Sequence, residues 1–268
     1  MVRIIIGLTM MVMLSACGPK SSYLNPDIEK PGFNRIAVVL DYVYFVDGVD
    51  HVMDYDANKN QTQIRRLKED IEHMLKAKNF AVEWALVTSG VGLHPDMPFA
   101  HYQDGERQVD IIYPPFYIDS HYPFDVQDQL MASFMDAQRV ALTSASKNNQ
   151  HYLQRLRLKT IDLRQSMSAP NIANPAGILH VRVLAPRTSF LKTLGSGSVS
   201  VGISTGSVRG SHVGIGLPLT SGNKSLTTAV LFDNGNGRVV WKNQRNGDLS
   251  RLSNDATRQF FKNFPFKP

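Results

Sequence analysis

The stretch Arg35-Ile-Ala-Val-Val-Leu40 constrains the fold most. A near-continuous apolar run of this length reads as a strand buried on both faces. After a polar stretch at 41–60 that carries Tyr42, Tyr44 and Phe45, the residues Ile64, Leu67, Ile71, Met74 and Leu75 recur at helical spacing in a highly charged segment. That spacing predicts an amphipathic helix with one buried stripe. Residues 80–87 read as a second strand. Strand, helix, strand in succession calls for a sheet with helices packed on it.

Residues 89–123 break this pattern with Pro95, Pro98, Pro114, Pro115 and Pro123, which forbid a long helix. Phe99, Tyr102, Tyr113, Phe116, Tyr117 and Tyr122 lie between and beside these prolines and form a candidate partner surface. The alternative is that these rings pack the insertion onto the domain. One short strand is expected near 109–113. Val126, Leu130, Met131, Phe134 and Met135 predict a second amphipathic helix, from about Asp125 to about Ser146. The segment 152–165 fits neither period, and 168–175 is rich in turn residues.

The C-terminal third reads as strands. Residues 177–184 alternate, and the Gly/Ser-rich stretch 195–219 predicts a hairpin with arms at 199–203 and 213–217. Residues 227–232 and 238–242 are strands joined by Asp233-Asn-Gly-Asn-Gly237, a strong hairpin turn because Asn and Gly tolerate positive φ. Leu252, Ala256, Phe260, Phe261 and Phe264 mark a closing apolar stripe that Pro265 ends. The expected class is α+β (mixed α/β): a mixed sheet with helices on one face and a Pro/aromatic-rich insertion.

The N-terminus carries an address. Arg3 is followed by an apolar stretch at 4–14, of signal-peptide length and too short to span a bilayer as a helix. It ends in Leu14-Ser15-Ala16-Cys17, which resembles the bacterial lipobox. The resemblance implies cleavage before Cys17, a diacylglycerol on its thiol and an acylated N-terminus. Cys17 is the one cysteine in the chain, so its lipidation leaves no thiol for a disulfide. An ordinary secretory signal with a chance Cys is the alternative. Residues 1–16 are then the signal peptide, 17–34 the lipidated Cys and a tether broken by Pro26, Pro31 and Gly32, and 35–268 a single periplasmic domain. Gly18 is not the Asp that resembles an inner-membrane retention signal, so outer-membrane anchoring facing the periplasm is the expectation. The net charge of +6 suits contact with anionic lipid or cell wall, although a solvated surface with a small excess of Lys is the simpler explanation. No arginine-rich run or nucleic-acid motif points to DNA or RNA.

An acylated Cys, the strand 36–40, a helix, a second strand, a Gly/Ser-rich alternating strand, and Ala229-Val-Leu-Phe-Asp233 with Gly237-Arg-Val-Val-Trp241 before a closing helix together resemble a known group. It contains the curli secretion lipoprotein, the penicillin-binding-protein activator lipoproteins and the N-terminal domain of the Tol-Pal translocation protein. The match covers 35–87 and 177–264, and the 89–123 insertion departs from it. The resemblance implies a non-enzymatic outer-membrane lipoprotein acting in envelope assembly, secretion or regulation through an envelope protein partner.

Two other readings stand beside it. One is a ligand-binding or hydrolase-like lipoprotein with a site in the insertion, where His94, His101 and His121 lie near Asp96, Asp104 and Asp119. The other is a homo-oligomeric pore component using the 195–219 hairpin. No nucleophile elbow, phosphate loop or zinc motif is present, and no cofactor is expected. The run Asp54-Tyr-Asp56-Ala-Asn58-Lys-Asn60 spaces oxygens as a calcium loop does, but Lys59 and Arg65 stand where an EF-hand needs Gly and Glu. A solvated turn before the helix is the expectation there.

Overall fold

The computed structural model describes residues 22–28, 32–47, 53–93, 99–103, 106–164, 177–187, 200–203, 215–218, 225–247 and 254–265. The lipobox and Cys17 lie outside them. The strands are β1 (Tyr23–Leu24), β2 (Arg35–Asp47), β3 (Met53–Asp56), β4 (Ala81–Ser89), β5 (Phe99–Gln103), β6 (Glu106–Ile112), β7 (Tyr117–Asp119), β8 (Gly177–Arg187), β9 (Ser200–Ile203), β10 (Ile215–Pro218), β11 (Leu226–Asp233) and β12 (Val239–Asn246). The helices are α1 (Ala57–Lys76), α2 (Phe124–Leu142), α3 (Lys147–Arg155) and α4 (Asn254–Phe260).

Ten strands form one mixed sheet, with β1-β12-β11-β8-β2 as its continuous half. Beyond β2 the sheet forks. The first half of β2 pairs parallel with β4, which pairs with β7. Its last residues pair with β3, and β5 and β6 follow. The class is therefore mixed α+β, as the sequence predicts. The helices, however, cover both faces rather than one. Ile36, Val38, Leu40, Tyr42 and Tyr44 of β2 pack with Ile64, Leu67 and Ile71 of α1 and with Phe260, Phe261 and Phe264. Ala37, Val39, Val43 and Phe45 face Val126, Leu130, Phe134 and Val140 of α2. A central strand apolar on both faces needs a cover on each, and α2 supplies the second.

β2 runs well past the expected end at Leu40. Asp41 is fully buried and has partners, so the charge interrupts the apolar run without ending the strand. α1 opens where the calcium-like run stood. Asp56 caps it, its carboxylate accepting from the Lys59 N–H at 2.8 Å. Asn60 is buried and clamps the backbone of Tyr44, donating to its carbonyl and accepting from its N–H at 2.7 Å. Asp56 thus caps α1 and Asn60 stitches it to β2, in place of a solvated turn. α2 ends at Leu142 instead of about 146, and the ambiguous segment becomes α3 followed by an extended stretch. The insertion contributes β5, β6 and β7, more strand than the single one expected.

Part of the expected tether is docked onto the sheet. Tyr23 pairs with Lys242 and Leu24 with Trp241 in antiparallel register. Asn25 is buried; its N–H donates to the Val240 carbonyl and its side chain to the Val239 carbonyl, both at 2.9 Å.

The β11–β12 turn forms as its Asn/Gly content predicts. The Asp233 carbonyl accepts from the Gly237 N–H at 2.7 Å, and Gly237 sits at φ 71°. Its carbonyl accepts from the Leu158 N–H at 2.8 Å, docking the segment after α3. A Cβ on Gly237 would meet the Leu158 carbonyl oxygen at 2.1 Å. Gly237→Ala should therefore lose at least ~2 kcal/mol from strain and collision together. Gly235→Ala, in the same turn without a positive φ, should lose less than ~1 kcal/mol. Urea unfolding of both variants checks this, and equal losses would refute it.

β9 and β10 pair as the predicted hairpin, Val201 opposite Leu217, in a two-stranded sheet of their own. The described part of each arm is 4 residues long. A membrane-crossing strand needs about 9–11.

Candidate functional site

The rings of the insertion divide between core and surface. Phe99 is fully buried, edge-on to Phe45 at 5.7 Å and to Phe116 at 4.7 Å. Phe116 lies 4.2 Å from the Tyr55 ring. Tyr122 is also fully buried, and its hydroxyl donates to Glu83 Oε1, which burial and that carboxylate both reinforce by pushing the phenol pKa upward. Phe99 and Tyr122 therefore anchor the insertion and cannot meet a partner, which corrects the expectation for these two. Phe116 and Tyr117 are half-buried, and Tyr113 is exposed. The Tyr102 side chain lies outside the described residues.

Exposed apolar residues lie close to these rings in the sequence. Among the described residues the exposed large hydrophobics are Leu24, Ile111, Tyr113, Ile118, Phe124 and Tyr152, and four of the six fall between 111 and 124. Phe124 is 84% exposed. It sits in the first turn of α2, whose buried stripe begins at Val126, so the helical period turns Phe124 outward. That signal was available in the sequence. Ile111 and Ile118 were not distinguishable there from core strand residues. β6 and β7 are edge strands, at the opposite side of the sheet from β1. Six strand spacings of ~4.8 Å from β1 to β7 place the two edges about 30 Å apart.

A second cluster is closed. On the α2 face, β2, β8, β11 and β12 align Asp41 with Arg182 and Thr228, and Val39 with His180, Val230 and Lys242. Asp41, His180, Arg182, Thr228 and Lys242 are all buried, as are Ser133 and Gln138 of α2 above them. Arg182 Nε lies 3.4 Å from Asp41 Oδ2, and the guanidinium carbon lies 5.8 Å from the Phe134 ring centre. Asp41 Oδ1 accepts from the Thr88 hydroxyl and the Val91 N–H, each at 3.0 Å. Burial pushes the Asp41 carboxyl up, and the Arg182 guanidinium is the largest influence opposing it. The Thr228 hydroxyl donates to Gln138 Oε1 at 2.7 Å. Lys242 donates to the Ala141 and Thr143 carbonyls at the end of α2, and burial lowers its pKa to about 8.

Ser133 Oγ lies 3.1 Å from His180 Nε2, the spacing of a nucleophile and its base. A hydrolytic relay also needs a group orienting the other ring nitrogen. His180 Nδ1 has no hydrogen-bond partner, and the ring is stacked on Phe232 at 5.5 Å. Burial lowers the His180 pKa to about 3, so the imidazole is neutral. The pair reads as a buried core contact, with Nδ1 left without a hydrogen-bond partner among the described residues.

Among the described residues, the titratable groups of the insertion are not brought together in one cluster. His121 lies 3.5 Å from Glu83 and His101 is half-buried on β5, while Asp119 sits 3.9 Å from Lys68. His94, Asp96 and Asp104 lie outside the described residues. Among the described residues no group of three His, Cys, Asp or Glu could hold a metal ion. None of the described helices is long and apolar enough to cross a membrane. No family model, no curated protein and no solved structure matches the chain.

Proposed function

We propose that the chain is a non-enzymatic lipoprotein, anchored to the periplasmic side of the outer membrane through Cys17, that acts in envelope assembly, secretion or regulation by binding an envelope protein. The observation that carries this reading is that four of the six exposed large hydrophobics among the described residues, Ile111, Tyr113, Ile118 and Phe124, fall within residues 111–124, in and beside the edge strands β6 and β7 and away from β1, where the N-terminal segment enters. Exposed apolar residues concentrated in this way mark interaction surfaces. A tether at one edge leaves the other free to meet a partner about 30 Å further out.

Photo-crosslinking residues at Tyr113 and Phe124, introduced in cells, test the reading. A reproducible envelope protein should be captured from both positions and not from Tyr152, which is exposed on α3. Phe124→Ser should abolish the adduct at Tyr113 while changing stability by less than ~0.5 kcal/mol, because the ring is 84% exposed. Capture of the same species from Tyr152, or of none from Tyr113 and Phe124, would overturn it.

A further inference from the structure

The point at which the chain leaves the sheet determines which surface faces an anchoring bilayer. From Cys17 to Tyr23 six residue steps span at most ~20 Å when fully extended. Tyr23 is already fixed opposite Lys242, so residue 22 lies beside Asn243. The Asn243 side chain donates to the Phe260 carbonyl at 2.7 Å, which puts the end of α4 against the exit point. Phe260, Phe261 and Phe264 surround Trp241 with ring centres 5.0–6.3 Å away, holding α4 firmly on this corner.

Three features of this corner suit a lipid surface. Leu24 is 49% exposed beside Trp241. Arg258 and Lys262 are exposed on α4 and the turn after it. Between α4 and α1 lies a groove of ≈ 570 Å³ whose α4 wall carries these two cations, with Phe261 and Met74 among its apolar lining. The opposite wall, from α1 and the turn after it, is mixed, with Glu69 and Asp70 as well as His73 and Lys78, so the cationic side is the α4 wall.

We propose that the corner formed by β1 and α4 is a membrane-docking surface, seated on anionic phospholipid with Leu24 at the interface and Arg258 and Lys262 on headgroup phosphates. This rests on the Cys17 anchor proposed above. Each cation near an anionic leaflet adds electrostatic attraction, which orients a domain that its anchor already holds close. The consequence is a domain standing on its β1 edge, with Tyr113 and Phe124 directed away from the bilayer.

The test uses the lipidated protein reconstituted into phosphatidylcholine vesicles containing phosphatidylglycerol. Because the acylated Cys17 is the chain's one native cysteine, Leu24→Cys and Tyr113→Cys each introduce a single labelling site. Headgroup-borne quenchers should extinguish a fluorophore at position 24 severalfold more than one at position 113. Joint Arg258→Glu and Lys262→Glu substitution should bring the two positions toward equal quenching. Co-flotation with the vesicles reports the anchor separately. Equal quenching in protein that floats would overturn the docking surface and leave the anchor intact. Failure to float would overturn both. Unchanged quenching in the charge-reversed protein would overturn the role of the two cations.

Discussion

Replacing Arg182 with methionine while Asp41 remains should lower the unfolding free energy by ~3–5 kcal/mol. The two residues face each other in register across β2 and β8, with relative exposures of 2% and 0%. Losing the guanidinium leaves a buried carboxylate held by neutral donors, the Thr88 hydroxyl and the backbone N–H groups of Val91 and Gly90. Its pKa, already raised by burial, must then rise further, because Arg182 is the largest influence holding it down. Asp41→Asn alone should be costly for the complementary reason, an uncompensated buried cation. The double variant should recover much of the loss. The pair is poorly compensated even when intact, since Arg182 Nη1 and Nη2 have no hydrogen-bond partner. Burying two charges with incomplete hydrogen bonding is the situation in which an apolar replacement approaches neutrality. Urea unfolding of the two single variants and the double variant gives the coupling energy directly. Strictly additive losses would show that the ion pair does not couple β2 to β8.

The second large effect is on acid stability. His180 ordinarily titrates near 6.5, and burial lowers its pKa to about 3 in the fold. Below pH 6.5 the unfolded chain takes up a proton at this position and the folded chain does not. The stabilisation is complete above pH 6.5 and is lost progressively as pH falls toward 3, by about 1.4 kcal/mol per pH unit and ~4–5 kcal/mol in all. His180→Gln keeps a polar atom near Ser133 but removes the titration. Its unfolding free energy should fall less steeply between pH 6 and 4, by close to one proton's slope, while the contributions of all carboxylates cancel in the comparison. Identical slopes in the two proteins would mean that His180 is solvated or charged in the folded state.

Much of this fold was legible in the sequence where one local rule decides the structure. The Asn/Gly turn at 233–237 formed because Gly237 adopts a φ that other residues resist. The stripe from Ile64 to Leu75 lies buried against β2 because a 3.6-residue period leaves it nowhere else to go. Legibility failed where a distant residue decides. Asp41 looks like a strand end until Arg182, some 140 residues on, is placed beside it. The second helical face was hidden for the same reason, since the apolar stripe of α2 does not say which side of the sheet it covers. Of the candidate partner surface, Tyr113 was readable and remains exposed, whereas Phe99 and Tyr122 are buried by packing that sequence spacing cannot reveal. The docking of Tyr23 and Leu24 was also not legible, because a two-residue strand carries no period and owes its pairing to β12.

That docking makes the N-terminus the decisive place to examine, because the proposed anchoring at Cys17 and the proposed orientation of the domain both depend on where the chain is held. The direct measurement is the mass of the N-terminal peptide from membrane-extracted protein. A peptide beginning at Cys17 and carrying diacylglycerol and an N-acyl chain is the predicted result. A peptide that retains residues before Cys17, or an unmodified Cys17 thiol, would contradict the lipoprotein reading and the orientation built on it.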